Sequence, residues 1–207
     1  AQEPREPGPK RWRHQQNRRL AGNFLAVGRL RQLGLEPLGQ RGLDAGGFRV
    51  NGDGTFSKVT EGSLVNDGGA SYGCAWADYD NDGLLDFFLT DLYDRNRLYR
   101  NLGNGAWSRI TGRPPVDETT FDSFNCAWGD YNNDGKLDVA LSGTDSVTRI
   151  HRSNGDGTFT DIGVTLPGVY NGMMAWADYD NDGYLDLAII DNWGTAIWHN
   201  NGNGTFT

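Results

Sequence analysis

The stretch Ala-Trp-Ala-Asp-Tyr-Asp-Asn-Asp-Gly-Leu-Leu-Asp, residues 75–86, occurs three times with few changes along the 207-residue chain. It returns at 127–138 and at 175–186, so the copies begin about 50 residues apart. A second string, Asn-Gly-Asp-Gly-Thr-Phe, marks the same period at 51–56 and 154–159, with variants at 102–107 and 201–206. Self-similarity at a fixed period indicates one structural unit repeated along the chain.

Each repeat contains short apolar runs and no helical pattern. The runs 85–89, 137–141 and 185–190 are too short for helices. Each is followed by a second run that ends in a Gly-containing turn, and Asn-Gly and Asp-Gly supply the positive φ angles of a tight hairpin. The pattern predicts four strands per repeat: A before the aspartate-rich loop, B after it, C before the glycine turn and D after it. Four antiparallel strands in 45–50 residues are typical of a propeller blade.

The sequence therefore predicts an all-β fold, a partial β-propeller of about three and a half four-stranded antiparallel blades. Residues 1–47 are expected to form an irregular basic segment, partly disordered, and 48–207 the repeats: a half blade at 48–62 and blades at 71–111, 123–165 and 172–207. Closed propellers have four to eight blades. The missing blades are expected from a longer chain, which we favour, or from another copy, unless 20–47 supplies degenerate strands.

Charge is unevenly distributed, with a formal net charge of −8. The first 50 residues carry ten Lys and Arg against four Asp and Glu, whereas the remainder is acidic. Binding a nucleic-acid backbone needs clustered positive charge, which the acidic body lacks and only the N-terminal segment has. Because a basic run of this kind is typical of a solvated tail, no nucleic-acid partner is expected. No stretch approaches the roughly 18 apolar residues of a membrane-spanning helix, and the first thirty residues lack a signal-peptide pattern.

The loop between strands A and B has the form D-x-D-x-D-G-x-x-D in every repeat. Its carboxylates converge only if the chain curls around a cation, and the glycine at position 6 permits that turn. Calcium accepts six to eight oxygens in flexible geometry, whereas magnesium demands a stricter octahedron. The sequence predicts three calcium sites, with position 7 contributing its backbone carbonyl: Asp78, Asp80, Asp82, Leu84 and Asp86; Asp130, Asn132, Asp134, Lys136 and Asp138; Asp178, Asp180, Asp182, Tyr184 and Asp186.

Asp, Asn and Gly also form ordinary surface turns, but aspartate or asparagine stands at every side-chain ligand position of all three loops. The aspartate loop, the apolar strand after it and the N-G-x-G-T-F turn together resemble the FG-GAP/VCBS repeats of integrin alpha-type propellers and of bacterial surface and secreted proteins. The resemblance covers about residues 48–207. It implies calcium in the A–B loops, a propeller fold, and a location that is extracellular, at the cell surface or periplasmic. Departures are Asn132, the pair Ala106-Trp107, and residues 1–47.

Two further sets of residues repeat with the blades. Trp76, Trp128 and Trp176 could be sugar-stacking platforms, but a large aromatic at the end of strand A favours packing between blades. Cys74 and Cys126 share a position with Met174, which is typical of a buried apolar site. Equivalent points on neighbouring blades are expected to be too far apart for a disulfide.

The leading functional hypothesis is a non-catalytic calcium-binding propeller for adhesion or for recognition of an extracellular protein or glycan. The alternatives are a propeller domain of a secreted polysaccharide-active enzyme and a carbohydrate-binding module. In an antiparallel blade the A–B and C–D turns lie at one end, and the variable B–C and D–A connections at the other. Variable loops on a rigid scaffold often carry specificity, so the candidate ligand contacts are Tyr93, Arg95, Arg113, Glu118 and Trp193.

Overall fold

The computed structural model describes residues 24–26 and 47–207, apart from 51, 52, 54, 70, 93, 104, 117–121, 144–146, 168–171 and 191–193. Within these residues the chain forms fourteen strands in four antiparallel sheets and one short helix, α1 (Ser63–Asn66). No helix in the described ranges is long and apolar enough to cross a membrane. The predicted all-β fold class is confirmed.

Each sheet is built from strands that follow one another along the chain. The first sheet contains β1 (Phe24–Ala26), β2 (Gly47–Val50) and β3 (Phe56–Val59). The second contains β4 (Ser71–Ala77), β5 (Asp86–Asp91), β6 (Arg97–Asn101) and β7 (Trp107–Ile110). The third contains β8 (Ser123–Gly129), β9 (Asp138–Gly143), β10 (Val147–Ser153) and β11 (Phe159–Pro167). The fourth contains β12 (Met173–Ala177), β13 (Asp186–Ile190) and β14 (Thr195–Trp198).

The end sheets differ from the expected strand numbers. The first sheet has a third strand, β1, which lies in the segment predicted to be irregular and pairs with β2 through Phe24 and Arg49. Three residues are too few to show an alternating pattern, so the sequence indicated a strand here only under the alternative that 20–47 supplies degenerate strands. In the fourth sheet strand D is reduced to a bridge between Asn200 and Phe206. The backbones of His199 and Thr207 exchange hydrogen bonds of 2.8 and 2.9 Å beside that bridge.

The sheets pack face to face through their strand side chains. On β5, Phe87 and Leu89 pack with Leu64 and Val65 of the α1 segment, whereas Phe88 points to the opposite side, towards the third sheet. This alternation is the period of two that strand geometry imposes. The core between the second and third sheets contains Tyr79, Phe88, Leu98, Val116, Cys126, Val139, Leu141 and Phe159, and that between the third and fourth contains Tyr131, Ala140, Ile150, Leu166, Leu187 and Ile189.

The innermost strands of neighbouring sheets touch, and polar side chains connect them. Strand β8 contacts β4 on one side and β12 on the other. The Thr90 hydroxyl accepts the backbone N–H of Gly73 at 2.8 Å and donates to the Phe124 carbonyl of the third sheet at 3.1 Å. The Trp176 indole N–H donates to the Ala127 carbonyl at 3.1 Å. These bonds join the second sheet to the third and the third sheet to the fourth.

Aromatic contacts confirm the packing interpretation of the repeated tryptophans. The ring centroid of Trp128 lies 5.8 Å from that of Phe88 in the preceding repeat. The ring centroid of Trp176 lies 6.4 Å from that of Tyr131, which also belongs to the preceding repeat. Cys74 and Cys126 are free thiols. Burial raises the pKa of both thiols, so both stay protonated near neutral pH.

Candidate metal centre

The three aspartate loops share one backbone conformation, which the position 1 carboxylate fixes. In the first loop Asp78 accepts the backbone N–H groups of Asp82 and Gly83 at 3.0 and 2.9 Å. Gly83 has φ +88°, a conformation that glycine adopts without steric cost. The same pairs of bonds are made by Asp130 to Asp134 and Gly135, and by Asp178 to Asp182 and Gly183.

The aspartate at position 9 joins the loop to the turn that follows strand C. Asp86 is 1 % exposed and accepts the N–H of Tyr79 at 3.2 Å and that of Asn101 at 2.8 Å. Burial raises the pKa of Asp86, and likewise that of Asp138, to about 7. The equivalent bonds run from Tyr131 and Ser153 to Asp138, and from Tyr179 and Asn200 to Asp186.

The carboxylates of the first and third loops lie close enough to share one ion. One oxygen each from Asp78, Asp80 and Asp86 lies within 4.8 Å of the other two, and Asp178, Asp180 and Asp186 form the same group. Two oxygens bound to one calcium at about 2.4 Å are at most about 4.8 Å apart, so these all-oxygen donor sets fit calcium. The residues at position 7 donate their N–H to the position 5 carboxylate, from Leu84, Lys136 and Tyr184 to Asp82, Asp134 and Asp182. That the backbone carbonyls of these three residues bind the ion remains a prediction.

The second loop does not bring three carboxylates together in this way. Within the described residues no such group includes Asp130, Asp134 or Asp138. The amide of Asn132 donates to Asp134 Oδ2 at 3.3 Å, and the Lys136 ammonium lies 3.3 Å from the same oxygen. Because Asn132 stands where the other two loops have an aspartate, the second loop offers one charged ligand fewer than either of them.

Cationic and imidazole side chains from the end of strand C stand beside the loops, which the sequence analysis missed. Arg100 Nε lies 2.6 Å from Asp80 Oδ2, and Arg100 Nη2 lies 3.0 Å from Asp82 Oδ2. In the third repeat His199 Nδ1 lies 3.2 Å from Asp180 Oδ2 and 3.2 Å from Asp186 Oδ1. The available signal was a shared repeat position, the residue just before Asn101 and Asn200, which holds a basic or imidazole side chain.

Asparagines at position 4 connect consecutive loops, and they too were missed. Asn81 and Asn133 adopt φ +58° and +59°, the left-handed region that asparagine tolerates better than most residues. Asn81 Nδ2 donates to the Gly135 carbonyl of the next loop at 3.4 Å, and Asn133 Nδ2 donates to the Gly183 carbonyl at 2.8 Å. Asparagine at this position in all three loops was the signal.

The glycine turns after strand C lie on the same end of the sheets as the aspartate loops. A Cβ added at Gly155 would meet the Lys136 side chain at 2.6 Å, and one added at Gly202 would meet the Tyr184 ring at 2.6 Å. Within the turn, Thr158 donates its N–H and its hydroxyl to Asp156 Oδ1 at 2.9 and 2.5 Å. This pair explains the Asp-Gly-Thr part of the repeated string as a local turn.

The candidate ligand contacts are not brought together within the described part of the chain. Tyr93, Glu118 and Trp193 lie outside the described residues. Arg95 is exposed in the connection between β5 and β6.

Arg113 corrects the assignment of faces made from strand order. It lines a groove of about 410 Å³ together with Tyr79 and Asp80 of the first aspartate loop and the turn 155–157. Its charge also lowers the pKa of Asp156, after the larger effect of the hydrogen bonds from Thr158. Strand order ignores the reach of a long side chain across the gap between two sheets, so Arg113 belongs with the aspartate-loop end.

A family comparison agrees with this geometry. The model of the FG-GAP-like repeat matches residues 44–89, 78–141 and 130–189, well over half of the chain. The protein belongs to the FG-GAP-like repeat family, and its sheets are blades of a propeller-like fold. The comparison with curated proteins gives no match.

Proposed function

We propose that this protein is a calcium-binding β-propeller scaffold, without catalytic activity of its own, that presents surface loops for ligand recognition outside the cytoplasm. The convergence of Asp78, Asp80 and Asp86, repeated by Asp178, Asp180 and Asp186, carries the proposal. A bound calcium ion would neutralise these carboxylates, whose mutual repulsion otherwise destabilises each loop. The first and third loops are the principal sites, and the second is the weakest.

The proposed scaffold role follows from what the loops are bonded to. Asp86 holds both its own loop and the start of the next turn through Tyr79 and Asn101, and Asn81 reaches the second loop. An ion that fixes Asp86 and Asp80 therefore tightens the contact between two sheets as well as one loop. The same carboxylates are the ones that acid–base catalysis would otherwise use, which supports a non-catalytic role.

Calorimetry and thermal melting in calcium test the proposal. Saturating calcium is expected to stabilise the chain by about 2.7 kcal/mol per site at a hundredfold excess over Kd. Asp80→Asn and Asp180→Asn each replace one carboxylate ligand by an amide and should weaken binding about tenfold. The double variant should therefore lose about half of the gain at the first and third loops, whereas Asp161→Asn, an exposed aspartate outside the loops, should keep it. An unchanged Tm and no heat of binding in the unaltered protein would overturn the calcium assignment.

The affinity bears on the proposed location. Extracellular calcium modules bind with Kd of about 10⁻⁴ to 10⁻³ M, whereas cytosolic buffers reach about 10⁻⁹ to 10⁻⁸ M. We expect the first and third loops to fall in the weaker range. Nanomolar binding would contradict a location outside the cytoplasm.

The second loop offers a separate test of the ligand positions. Asn132→Asp restores the carboxylate that the other two loops have at position 3. Because affinity in such loops rises with the number of charged ligands, calcium should bind this loop more tightly, by about tenfold. If calorimetry detects no change, residue 132 is not a ligand.

The ligand class is proposed from the exposed connections and the family resemblance: an extracellular protein or a glycan. Calcium-loaded protein applied to a glycan array distinguishes the two, and Arg95→Ala should weaken whichever binding is found without lowering Tm. Unchanged binding by Arg95→Ala would remove this arginine from the recognition surface.

A further inference from the structure

In the third repeat an imidazole points into the aspartate loop. His199 Nδ1 lies 3.2 Å from Asp180 Oδ2 and 3.2 Å from Asp186 Oδ1, and His199 Nε2 lies 3.9 Å from Asp182 Oδ2. Nδ1 is a buried atom, yet it makes no hydrogen bond of proper geometry within the described residues. Buried polar atoms of native proteins have partners, and a partner that suits a nitrogen and carboxylates together is a metal ion.

The imidazole is held in this position by its own repeat. The His199 backbone exchanges hydrogen bonds of 2.8 and 2.9 Å with that of Thr207, and the imidazole lies edge-on to the Tyr179 ring, with the centroids 6.2 Å apart. The next residue, Asn200, is 1 % exposed and donates its N–H to Asp186 Oδ1 at 2.8 Å. All of these contacts lie within the repeat that contains the loop, so the arrangement does not depend on a neighbouring sheet.

The donor set of this cluster suits a transition metal better than it suits calcium. One atom each from Asp180, Asp182 and His199 lies within 4.8 Å of the other two. Neighbouring ligands of a tetrahedral zinc ion, with bonds of about 2.0 to 2.2 Å, are about 3.4 Å apart, close to the 3.2 Å between His199 Nδ1 and Asp180 Oδ2. Both aspartates are exposed, so their carboxylates can turn to close the remaining distance. Calcium takes oxygen ligands, whereas imidazole suits zinc and other first-row transition metals.

The other two repeats have an arginine at the position of His199. These arginines are Arg100 and Arg152. Arg100 meets the equivalent carboxylate oxygens, since its Nε lies 2.6 Å from Asp80 Oδ2 and its Nη2 lies 3.0 Å from Asp82 Oδ2. A guanidinium keeps its proton and has no lone pair to offer a metal ion, whereas a neutral imidazole does. The same place beside the loop therefore holds a competing cation in the first repeat and a metal ligand in the third.

We propose that the third aspartate loop binds a divalent transition metal such as zinc through His199, Asp180 and Asp182. Because Asp180 also belongs to the proposed calcium group, either ion excludes the other from this loop. The loops of one chain then differ in metal preference, with an oxygen-only site in the first repeat and a mixed nitrogen and oxygen site in the third. This site depends on the donors of the third loop alone and is tested in the absence of calcium.

Zinc calorimetry in calcium-free buffer tests the proposal. The unaltered chain should bind zinc, and His199→Gln should bind it at least tenfold more weakly, since loss of a group that merely orients a ligand already costs about 10- to 100-fold. His14→Gln is the matched control, because it removes another of the three histidines, and it should bind zinc as the unaltered chain does. Equal zinc affinity of His199→Gln and the unaltered chain, or no zinc binding at all, would mean that His199 only pairs with the carboxylates, and overturns the proposal.

Arg100→His supplies the converse test. It gives the first loop the imidazole of the third, beside the equivalent carboxylates of Asp80 and Asp82, and should add a second zinc ion per chain. An unchanged stoichiometry in this variant, shown to be folded by circular dichroism, would overturn the proposal.

Histidine NMR of the unaltered protein gives a readout that needs no variant. Zinc should shift the ring signals of the histidine that shows contacts to Tyr179, and shifts confined to the other histidines would overturn the assignment. Calcium calorimetry separates this proposal from the proposed function: His199→Gln should lose zinc while it keeps calcium, and an unaltered chain that binds zinc but no calcium would overturn the calcium assignment alone.

Discussion

The first and third aspartate loops are identical except at position 7, where Leu84 is replaced by Tyr184, yet their surroundings differ. The first loop faces a guanidinium, that of Arg100, and its Tyr79 is buried by the next sheet. The third loop faces the imidazole of His199, and its Tyr179 is exposed. The comparison teaches that the loop sequence determines the ligand geometry, whereas the neighbouring strand and sheet determine charge and burial.

The largest expected effect is a difference in the stability lost by two alanine variants at the same repeat position, one in the third sheet and one in the fourth. Ile150→Ala removes side-chain atoms from a fully buried site and should cost about 3 kcal/mol of unfolding free energy, because the cavity refills only partly. Ile197→Ala, at the equivalent exposed position, should cost less than about 1 kcal/mol when the chain is monomeric. Urea denaturation at low protein concentration measures both. Equal losses would mean that Ile197 is covered in solution.

The second effect is a pH dependence of the calcium-free protein. Burial raises the pKa of Asp86 and Asp138 to about 7, above their values of about 4 in an unfolded chain. The folded state therefore holds these protons more strongly, so their contribution is complete below about pH 4 and is lost as the pH rises to about 7.

Melting curves in metal-free buffer between pH 4 and 8 measure this loss. Tm should fall across the range, and Asp86→Asn combined with Asp138→Asn should flatten the profile. Calcium binds the ionised carboxylates, so saturating calcium should remove the fall. A Tm of the calcium-free protein that rises from pH 4 to 7 would contradict the assignment of these two groups.

The repeated fold could be predicted from the sequence because its signals are local and occur three times. Glycine at position 6 and aspartate at position 1 act within one turn, so spacing alone placed Asp78 beside Asp82. Burial of the position 9 aspartates was not predicted, since it depends on Asn101 and its equivalents, which lie in a later strand.

The partners that escaped prediction act across strands or sheets. Arg100 lies fourteen or more residues from every carboxylate of its loop in sequence, and only the pairing of β5 with β6 brings it to Asp80. Asn81 bonds to a carbonyl 54 residues away. Strand β1 lacks both length and pattern, and the side chain of Arg113 crosses to a neighbouring turn. Each of these four features depends on the tertiary arrangement of strands and sheets, which cannot be predicted from a periodic sequence pattern.

A third prediction concerns the bonds between consecutive loops. Asn133→Gly keeps the positive φ angle but removes the 2.8 Å bond to the Gly183 carbonyl, and should cost about 1 kcal/mol. Asn181→Gly is the matched control, because its φ is +63° and its side chain has no hydrogen-bond partner within the described residues. Its cost should be only the entropic part, which both variants share. Chemical denaturation in saturating calcium measures the difference, and equal losses would show that the inter-loop bond contributes nothing.

The smallest expected effect tests whether Arg100 competes with calcium in the first loop. The Arg100 guanidinium lies 2.6 Å from Asp80 Oδ2 and 3.0 Å from Asp82 Oδ2. It therefore repels a calcium ion that enters the loop and neutralises part of the carboxylate charge that attracts the ion. Arg100→Gln removes the positive charge while keeping a side chain of similar polarity. The pair is partly exposed, and such ion pairs contribute at most about 1 kcal/mol, so calcium should bind the first loop about two- to fivefold more tightly.

Arg109→Gln is the control, since Arg109 is similarly exposed but pairs with Asp67 outside the loop, and should leave calcium affinity unchanged. Calorimetry at low ionic strength, where screening is weakest, measures both variants. Weaker binding by Arg100→Gln would show that the guanidinium holds the carboxylates in place for the ion, the opposite of competition.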